Sequence, residues 1–299
     1  MSTIFNLGSI NIDHVYLTPH IVAPGETLGS REYHHVLGGK GANQSIALAR
    51  AGARVCHIGA LNADHENIVQ DLSNEGIQTD GILRSQLATG HAIIQVSDDG
   101  ENAIVLFAGA NHDISPAHLK ESLSKANSGD WFLTQNETND VGQAIKTAKA
   151  MGLKVAFNPA PMDDTVADIS PMLIDLLIVN EIEAMQLSGT STIEEAEKFF
   201  LSEWDDTEVI VTQGSGGVAH LFSGVRTFVE AVKVEVKDTT AAGDTFVGYY
   251  LAQRSQLVST KDALKTACKA AGLTVTRLGA SSAIPTQSEV EKFASFNHE

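Results

Sequence analysis

The chain has 299 residues, 43% of them hydrophobic and 19% charged, enough to bury most of its apolar surface in one large α/β domain without a disulfide or metal staple. A formal net charge of −17 repels phosphate backbones and anionic lipid, so nucleic acid and membrane surfaces are poor partners. Cys56 and Cys268 fit no metal or redox spacing, and neither a secretory leader nor a bilayer-spanning apolar run is legible, so a cytoplasmic protein is expected.

Taken in chain order, Ile4 to Ile10 reads as a first strand running into the polar stretch Asn11-Ile12-Asp13. Residues 15 to 37 alternate weakly around Pro19, Pro24 and Gly25, which predicts short strands and turns. Gly38-Gly39-Lys40-Gly41 interrupts the chain before a helix carried by Ala42, Ile46, Ala47 and Ala49 to Ala51, which Gly52 closes. A strand over 55–59 and a helix over 64–75 follow. Residues 91–97 and 103–107 form a hairpin around Asp98-Asp99-Gly100.

Beyond residue 115 the rhythm is regular. Helices are predicted at 115–126, 139–150, 181–188 and 192–203, and strands at 131–135, 154–158, 174–179 and 208–212. A hairpin over 218–230 turns at Ser223-Gly224. Helices at about 243–255, 260–275 and 286–296 close the chain. Such alternation predicts a largely parallel sheet covered by helices on both faces. The β pieces at about 14–37 and 91–107 do not fit that sheet and are expected to form a small appendage on a single domain spanning 1–299.

Several patterns carry little. Gly214-Ser215-Gly216-Gly217-Val218-Ala219 imitates a dinucleotide fingerprint, but it leads into β structure where that fingerprint must open a helix. Lys40 is no P-loop lysine, because Gly41 follows it where Ser or Thr is needed. His34 and His35 are adjacent and face opposite ways on a strand, and no other histidine or cysteine grouping suits a metal.

Three runs do suggest chemistry. In Asp238-Thr239-Thr240-Ala241-Ala242-Gly243-Asp244 small residues enter a helix whose first N–H groups would form an anion hole. Asp244 would lie beside a phosphoryl group there, although an acid is favourable in any first helical turn. Gly38-Gly39-Lys40-Gly41-Ala42-Asn43-Gln44 permits close backbone approach ahead of a helix. Asn11-Ile12-Asp13 lies beyond the first strand, where open parallel sheets bind ligands. It would equally serve as an Asx turn.

Together with Ala108-Gly109-Ala110-Asn111, Asn158-Pro159-Ala160-Pro161, Asn180-Glu181-Ile182-Glu183 and Thr212-Gln213-Gly214-Ser215-Gly216-Gly217, these runs resemble, in order and spacing, the ribokinase family of sugar and nucleoside kinases (pfkB). The resemblance implies a three-layer α/β fold with a β lid through which family members dimerise. It implies ATP-dependent phosphorylation of a primary hydroxyl, D-ribose before other sugars, with Asp244 as base and Ala241, Ala242 and Gly243 as the anion hole. Asn11, Asp13, Gly39, Lys40, Gly41, Asn43 and Glu137 would hold the sugar. Asn180, the loop Thr212, Gln213, Gly214, Ser215, Gly216 and Gly217, and Cys268 would lie along ATP. Glu183 would position Mg²⁺ through water. Asp238 and Thr240, with the backbone of Thr274, Arg277 and Gly279, would bind K⁺. Three positions depart from the family pattern: Cys268 replaces an Asn near adenine, Ala283 a Ser at the K⁺ site, and Tyr249 a Gly or Ala after Gly248. Deoxyribose, fructose, adenosine and fructose phosphates remain alternative acceptors, and a catalytically silent sugar-binding protein is the alternative of another class.

Overall fold

The computed structural model describes residues 2–293. Its main sheet is built from β1 (Thr3–Leu7), β4 (Arg54–Asn62), β5 (Gln78–Ser85), β8 (Trp131–Gln135), β9 (Lys154–Asn158), β10 (Leu176–Asn180), β11 (Glu208–Thr212), β12 (Gly217–Phe222) and β13 (Val225–Glu230). A second sheet contains β2 (Asn11–Leu17), β3 (Glu32–Gly38), β6 (Gly90–Val96) and β7 (Asn102–Phe107). The helices are α1 (Lys40–Arg50), α2 (Glu66–Asn74), α3 (Pro116–Ser122), α4 (Val141–Ala150), α5 (Glu181–Ser188), α6 (Ile193–Glu203), α7 (Ala242–Ser255), α8 (Thr260–Thr274) and α9 (Gln287–Lys292).

The main sheet runs β13-β12-β11-β10-β9-β8-β1-β4-β5, parallel from β11 to β5 and closed at the other edge by an antiparallel hairpin. Its central strands are apolar on both sides because both faces are covered. Along β1, Ile4 packs with α1, α2, α7 and α8, whereas Phe5 and Leu7 pack with α3 to α6. Strand order reverses between β1 and β8, since the chain leaves β1 toward β4 and returns on the other side at β8. In open α/β sheets the crevice beyond such a reversal is where ligands bind.

The small sheet, ordered β3-β2-β6-β7, is the expected appendage, begun a few residues earlier than the sequence pattern suggests. The predicted strand 4–10 divides: β1 stops at Leu7, and Gly8-Ser9-Ile10 turn the chain into β2. Gly8 and Gly41 cause the break, because their backbones touch; a Cβ on Gly41 would lie 2.4 Å from the Gly8 carbonyl carbon. Asn11 and Asp13 therefore lie on a lid strand and not in a loop. β5 is absent from the sequence reading because, as an edge strand, it buries only Gly81, Ile82 and Ser85. The helix expected over 115–126 tightens after Ser122 into a 3₁₀ turn. That expected over 286–296 spans Gln287–Lys292, and its last three positions lie outside the described residues.

Candidate active site

Each central strand ends in a polar residue at the crevice: Gln135 on β8, Asn158 on β9, Asn180 on β10 and Thr212 on β11. Above them α1 and α7 begin. Ala241 is the N-cap of α7 and has left-handed backbone angles, φ 59° and ψ 7°. Its side chain offers no cap. The Ala242 N–H donates to the Thr239 carbonyl and the Thr245 N–H to that of Ala241. The N–H groups of Gly243 and Asp244 are left over at the positive end of the helix. A Cβ on Gly243 would meet nothing within 4 Å, so its backbone is open to a ligand.

Asp244 follows in the first turn. Asn43 Nδ2 donates to its Oδ2 and Gln44 Nε2 to its Oδ1, each at 3.0 Å. Desolvation raises its pKa, opposed by the Lys40 ammonium and by those two hydrogen bonds. The result is an ionisable carboxylate held by two amides. Lys40 is itself pulled down by burial, but Asp244, Glu137 and Glu183 outweigh this and its pKa rises. One cation thus serves several acids in one cleft.

The lid side supplies Asp13. Desolvation first, then the charge of Glu137, pushes its carboxyl up to about 6, against the pull of Lys40. Glu137 accepts from the Ser9 hydroxyl and from the Lys40 backbone N–H at 3.1 Å, and its other oxygen lies 3.6 Å from Lys40 Nζ. Asn11 is buried and its Oδ1 accepts from Asn111 at 2.7 Å. Gly39, with φ 89°, is the N-cap of α1. Asn11, Asp13, Gly39, Lys40, Gly41, Asn43 and Glu137 therefore converge on one end of the crevice. Such a set of charged and amide groups suits a polyhydroxylated ligand.

On the other side of Asp244 a cavity of about 250 Å³ is lined by Lys40, Asn158, Asn180, Glu183, Gly243 and Asp244, among others. Thr212, Thr239 and Gly243 also border a larger cavity of about 580 Å³. The larger one is mostly apolar, with Val218, Val234, Phe246, Ala271 and Val275 on its walls, together with Cys268. An apolar slot joined to a polar chamber at a helix N-terminus suits a base with an attached phosphate chain. From the expected nucleotide loop, Thr212, Gly214, Ser215 and Gly217 line the slot. Gln213 and Gly216 do not, and the Gln213 amide turns away to Glu197. Burial pushes the Cys268 thiol up to about 12, so it behaves as a small apolar wall.

Two cation positions were expected. Glu183 joins Asn180 in a capping box that occupies its Oε2 on the Asn180 N–H, 2.9 Å away. Burial raises its pKa. Asn158, Asn180, Thr212 and Asp244 bring side-chain oxygens to the small cavity, among apolar residues and Lys40, and oxygen ligands are what a hydrated Mg²⁺ takes. At the second position Asp238 receives the N–H groups of Thr240 and Gly279, both at 2.9 Å. Burial pushes its pKa up, but these bonds and the Thr240 hydroxyl outweigh it and hold the carboxyl low. The Thr274 carbonyl accepts the Arg277 N–H at 3.0 Å, and the Arg277 guanidinium is turned to Glu289. Both Asp238 oxygens are thus already engaged by N–H groups, and a hard cation bound there would share the carboxylate with them. Ala283 is buried on the turn Ser281–Ala283 and offers no side-chain oxygen.

Gln44, Gln135, Asn158 and Ser9 escaped the sequence reading as individual site residues. For Gln135 and Asn158 the signal was present as a polar side chain at the C-terminal end of a parallel strand, a place where a purely structural strand would stay apolar.

The sequence profile described as pfkB family carbohydrate kinase matches residues 1–287. A ribokinase of Haemophilus influenzae is 38% identical over 301 residues, covering 97% of this chain and 98% of that one. Among solved structures, ribokinase from Cryptococcus neoformans in complex with ADP superposes with a TM-score of 0.85 at 33% identity, covering 98% and 99% of the two chains. Arabidopsis thaliana ribokinase complexed with ribose and ATP gives 0.84 at 28% identity, with 98% of each chain covered.

Proposed function

The chain belongs to the pfkB family of carbohydrate kinases, and from that premise we propose that it transfers the γ-phosphoryl group of ATP to the primary hydroxyl of D-ribose. The observation that carries the reading is the setting of Asp244: a carboxylate in the first turn of α7, held by the Asn43 and Gln44 amides beside two free N–H groups, on a polar cavity that adjoins a larger, mostly apolar one.

A primary alcohol has a pKa near that of water, about 15, and a carboxylate one near 4. Asp244 cannot strip the proton beforehand. In a loose phosphoryl-transfer transition state the proton leaves late, and an oriented carboxylate receives it then. Asp13 and Asn43 would orient the ring by its hydroxyls. Gly243 and Asp244 N–H groups would stabilise charge on the moving phosphoryl group, and Lys40 would balance the acids around it. Glu183 would hold a hydrated Mg²⁺, which would supply neutralisation of phosphate charge, and Asp238, Thr240, Thr274, Arg277 and Gly279 would hold K⁺ and so brace the loop before α7. The lid excludes water, which otherwise competes as acceptor.

The lid also supports a homodimer. Its edge strand β7 exposes Ile104, Val105, Leu106 and Phe107 in succession, Val105 by 67%. An unpaired, apolar edge of this kind calls for cover, and a second copy of this lid fits it. Light scattering of a Val105→Lys variant should then report monomer. No helix among the described residues is long and apolar enough to cross a membrane. Two buried, unpaired thiols support a reducing, cytoplasmic setting. Release of ADP with ribose, 2-deoxyribose, fructose, adenosine and fructose phosphates as acceptors tests the substrate. Ribose should give the highest kcat/KM; adenosine in first place would replace the reading.

A further inference from the structure

Asp244 is held from two sides, and the two sides differ. Gln44 is fully buried. Its Nε2 donates to Asp244 Oδ1 and to Asn158 Oδ1, each at 3.0 Å, and its Oε1 accepts from Gln135 Nε2 at 2.7 Å. All of its bonding capacity toward the crevice is used. Rotating the amide by a half turn would set its oxygen against two acceptors, so only one orientation is stable.

The neighbours fix that orientation in turn. Asn158 Nδ2 donates to the Ile178 carbonyl at 2.9 Å, which directs Asn158 Oδ1 at Gln44. Gln135 Nε2 also donates to Asn6 Oδ1 at 2.9 Å, and Asn6 Nδ2 donates to the Gly41 carbonyl and to Ser45 Oγ, both at 2.8 Å. Gln135 keeps this orientation although its Oε1 is buried without a partner. A directed chain of amides thus runs from the ends of β1, β8 and β9 through Gln44 to Asp244.

Asn43 is the looser partner. Its Nδ2 holds Asp244 Oδ2, but its Oδ1 is buried and unpartnered, a costly state that a hydroxyl donor would relieve. A sugar hydroxyl entering between them could donate to Asn43 Oδ1 and then to Asp244 Oδ2. Oδ1 of Asp244 would remain fixed to Gln44 throughout.

We propose that Gln44 is the positioning residue of the catalytic base, clamping Oδ1 of Asp244 so that Oδ2 is the oxygen that takes the substrate proton. The step balances simply: the sugar O–H bond breaks, its oxygen bonds to the γ-phosphorus, ADP departs, and the proton ends on Oδ2. The inference rests on the reading of Asp244 as base.

Gln44→Met keeps the length of the side chain and removes the clamp. We expect kcat to fall roughly 10- to 100-fold, the scale of a misplaced reacting group. The ribose Kd by calorimetry stays within about threefold, and the acid limb of the kcat–pH profile moves upward because the carboxylate has lost a donor. A kcat within about twofold of the parent overturns the proposal, as does a loss of kcat with an unmoved acid limb. Should Gln44→Met fail to fold, the isosteric Gln44→Glu decides. Its introduced carboxyl faces Asp244, so turnover should be low at pH 8 and recover as acid restores a donor; a profile parallel to the parent overturns the proposal. Asp244→Asn runs alongside. If it is inactive while Gln44→Met is normal, only the clamp is refuted; if it is fully active, the base assignment has failed and the clamp with it.

Discussion

Asp13 should destabilise the protein that it equips to bind sugar. Its carboxyl is raised from 3.8 to about 6 by burial and by Glu137, with Lys40 offsetting only part, and no hydrogen-bond donor reaches it among the described residues. Each pKa unit corresponds to about 1.4 kcal/mol, so ionised Asp13 costs the free protein up to about 3 kcal/mol at neutral pH. The sign follows from the direction. A raised carboxyl pKa gives stability that is complete below about 3.8 and is lost as pH rises through about 6. Asp13→Asn removes the charge and should stabilise the ligand-free protein at pH 7.5 by about 1–3 kcal/mol, the lower end allowing for water in the open cleft. That corresponds to a rise in Tm of about 2–6 °C. At pH 4.5 the gain should shrink to roughly a third. The same variant should raise the KM for ribose about 10- to 100-fold, the worth of one charged hydrogen bond. Thermal denaturation without sugar or nucleotide at the two pH values, with the KM at pH 7.5, makes the test. A variant less stable than the parent at both pH values, or a gain independent of pH, would refute the electrostatic reasoning.

Two further outcomes are expected. Gly41→Ala sets a Cβ 2.4 Å from backbone atoms of Gly8 and Ser9, which cannot swing aside. Urea unfolding should show a loss of about 1–3 kcal/mol, and kcat/KM should fall at least about tenfold as Lys40 and Asn43 shift; an unchanged midpoint and rate would contradict the close contact. K⁺ should raise both turnover and Tm relative to choline, and Ala283→Ser, which restores the hydroxyl that the family pattern carries at this position, should enlarge both effects; equal values in the two salts would reject that cation site.

Much of this fold was legible because its central strands are short apolar runs between helical periods, as at 131–135, 154–158 and 208–212, whose boundaries the structure repeats. β5 was not, since an edge strand with Gln78, Thr79 and Asp80 carries almost no apolar pattern. The break at Gly8 was hidden for another reason: it depends on Gly41, distant in sequence, and periodicity sees only neighbours. The residue types of the candidate site were visible in Gly38 to Asn43 and Asp238 to Asp244, but their roles were not. By itself Asp244 suits a helix start as well as a base. What distinguishes it is the company of Asn43, Gln44 and Lys40, brought to it across about 200 residues of chain by the α1–α7 packing. Gln44 was overlooked because a glutamine in a helix has no local mark of burial.

The most direct test of the central claim is transfer of labelled γ-phosphate from ATP to ribose by the parent protein and by Asp244→Asn, with ribose binding measured calorimetrically on both. The parent should form labelled ribose 5-phosphate, and the variant should bind ribose while forming essentially none. Transfer by the variant at the parental rate, or no transfer to ribose by the parent, would contradict it.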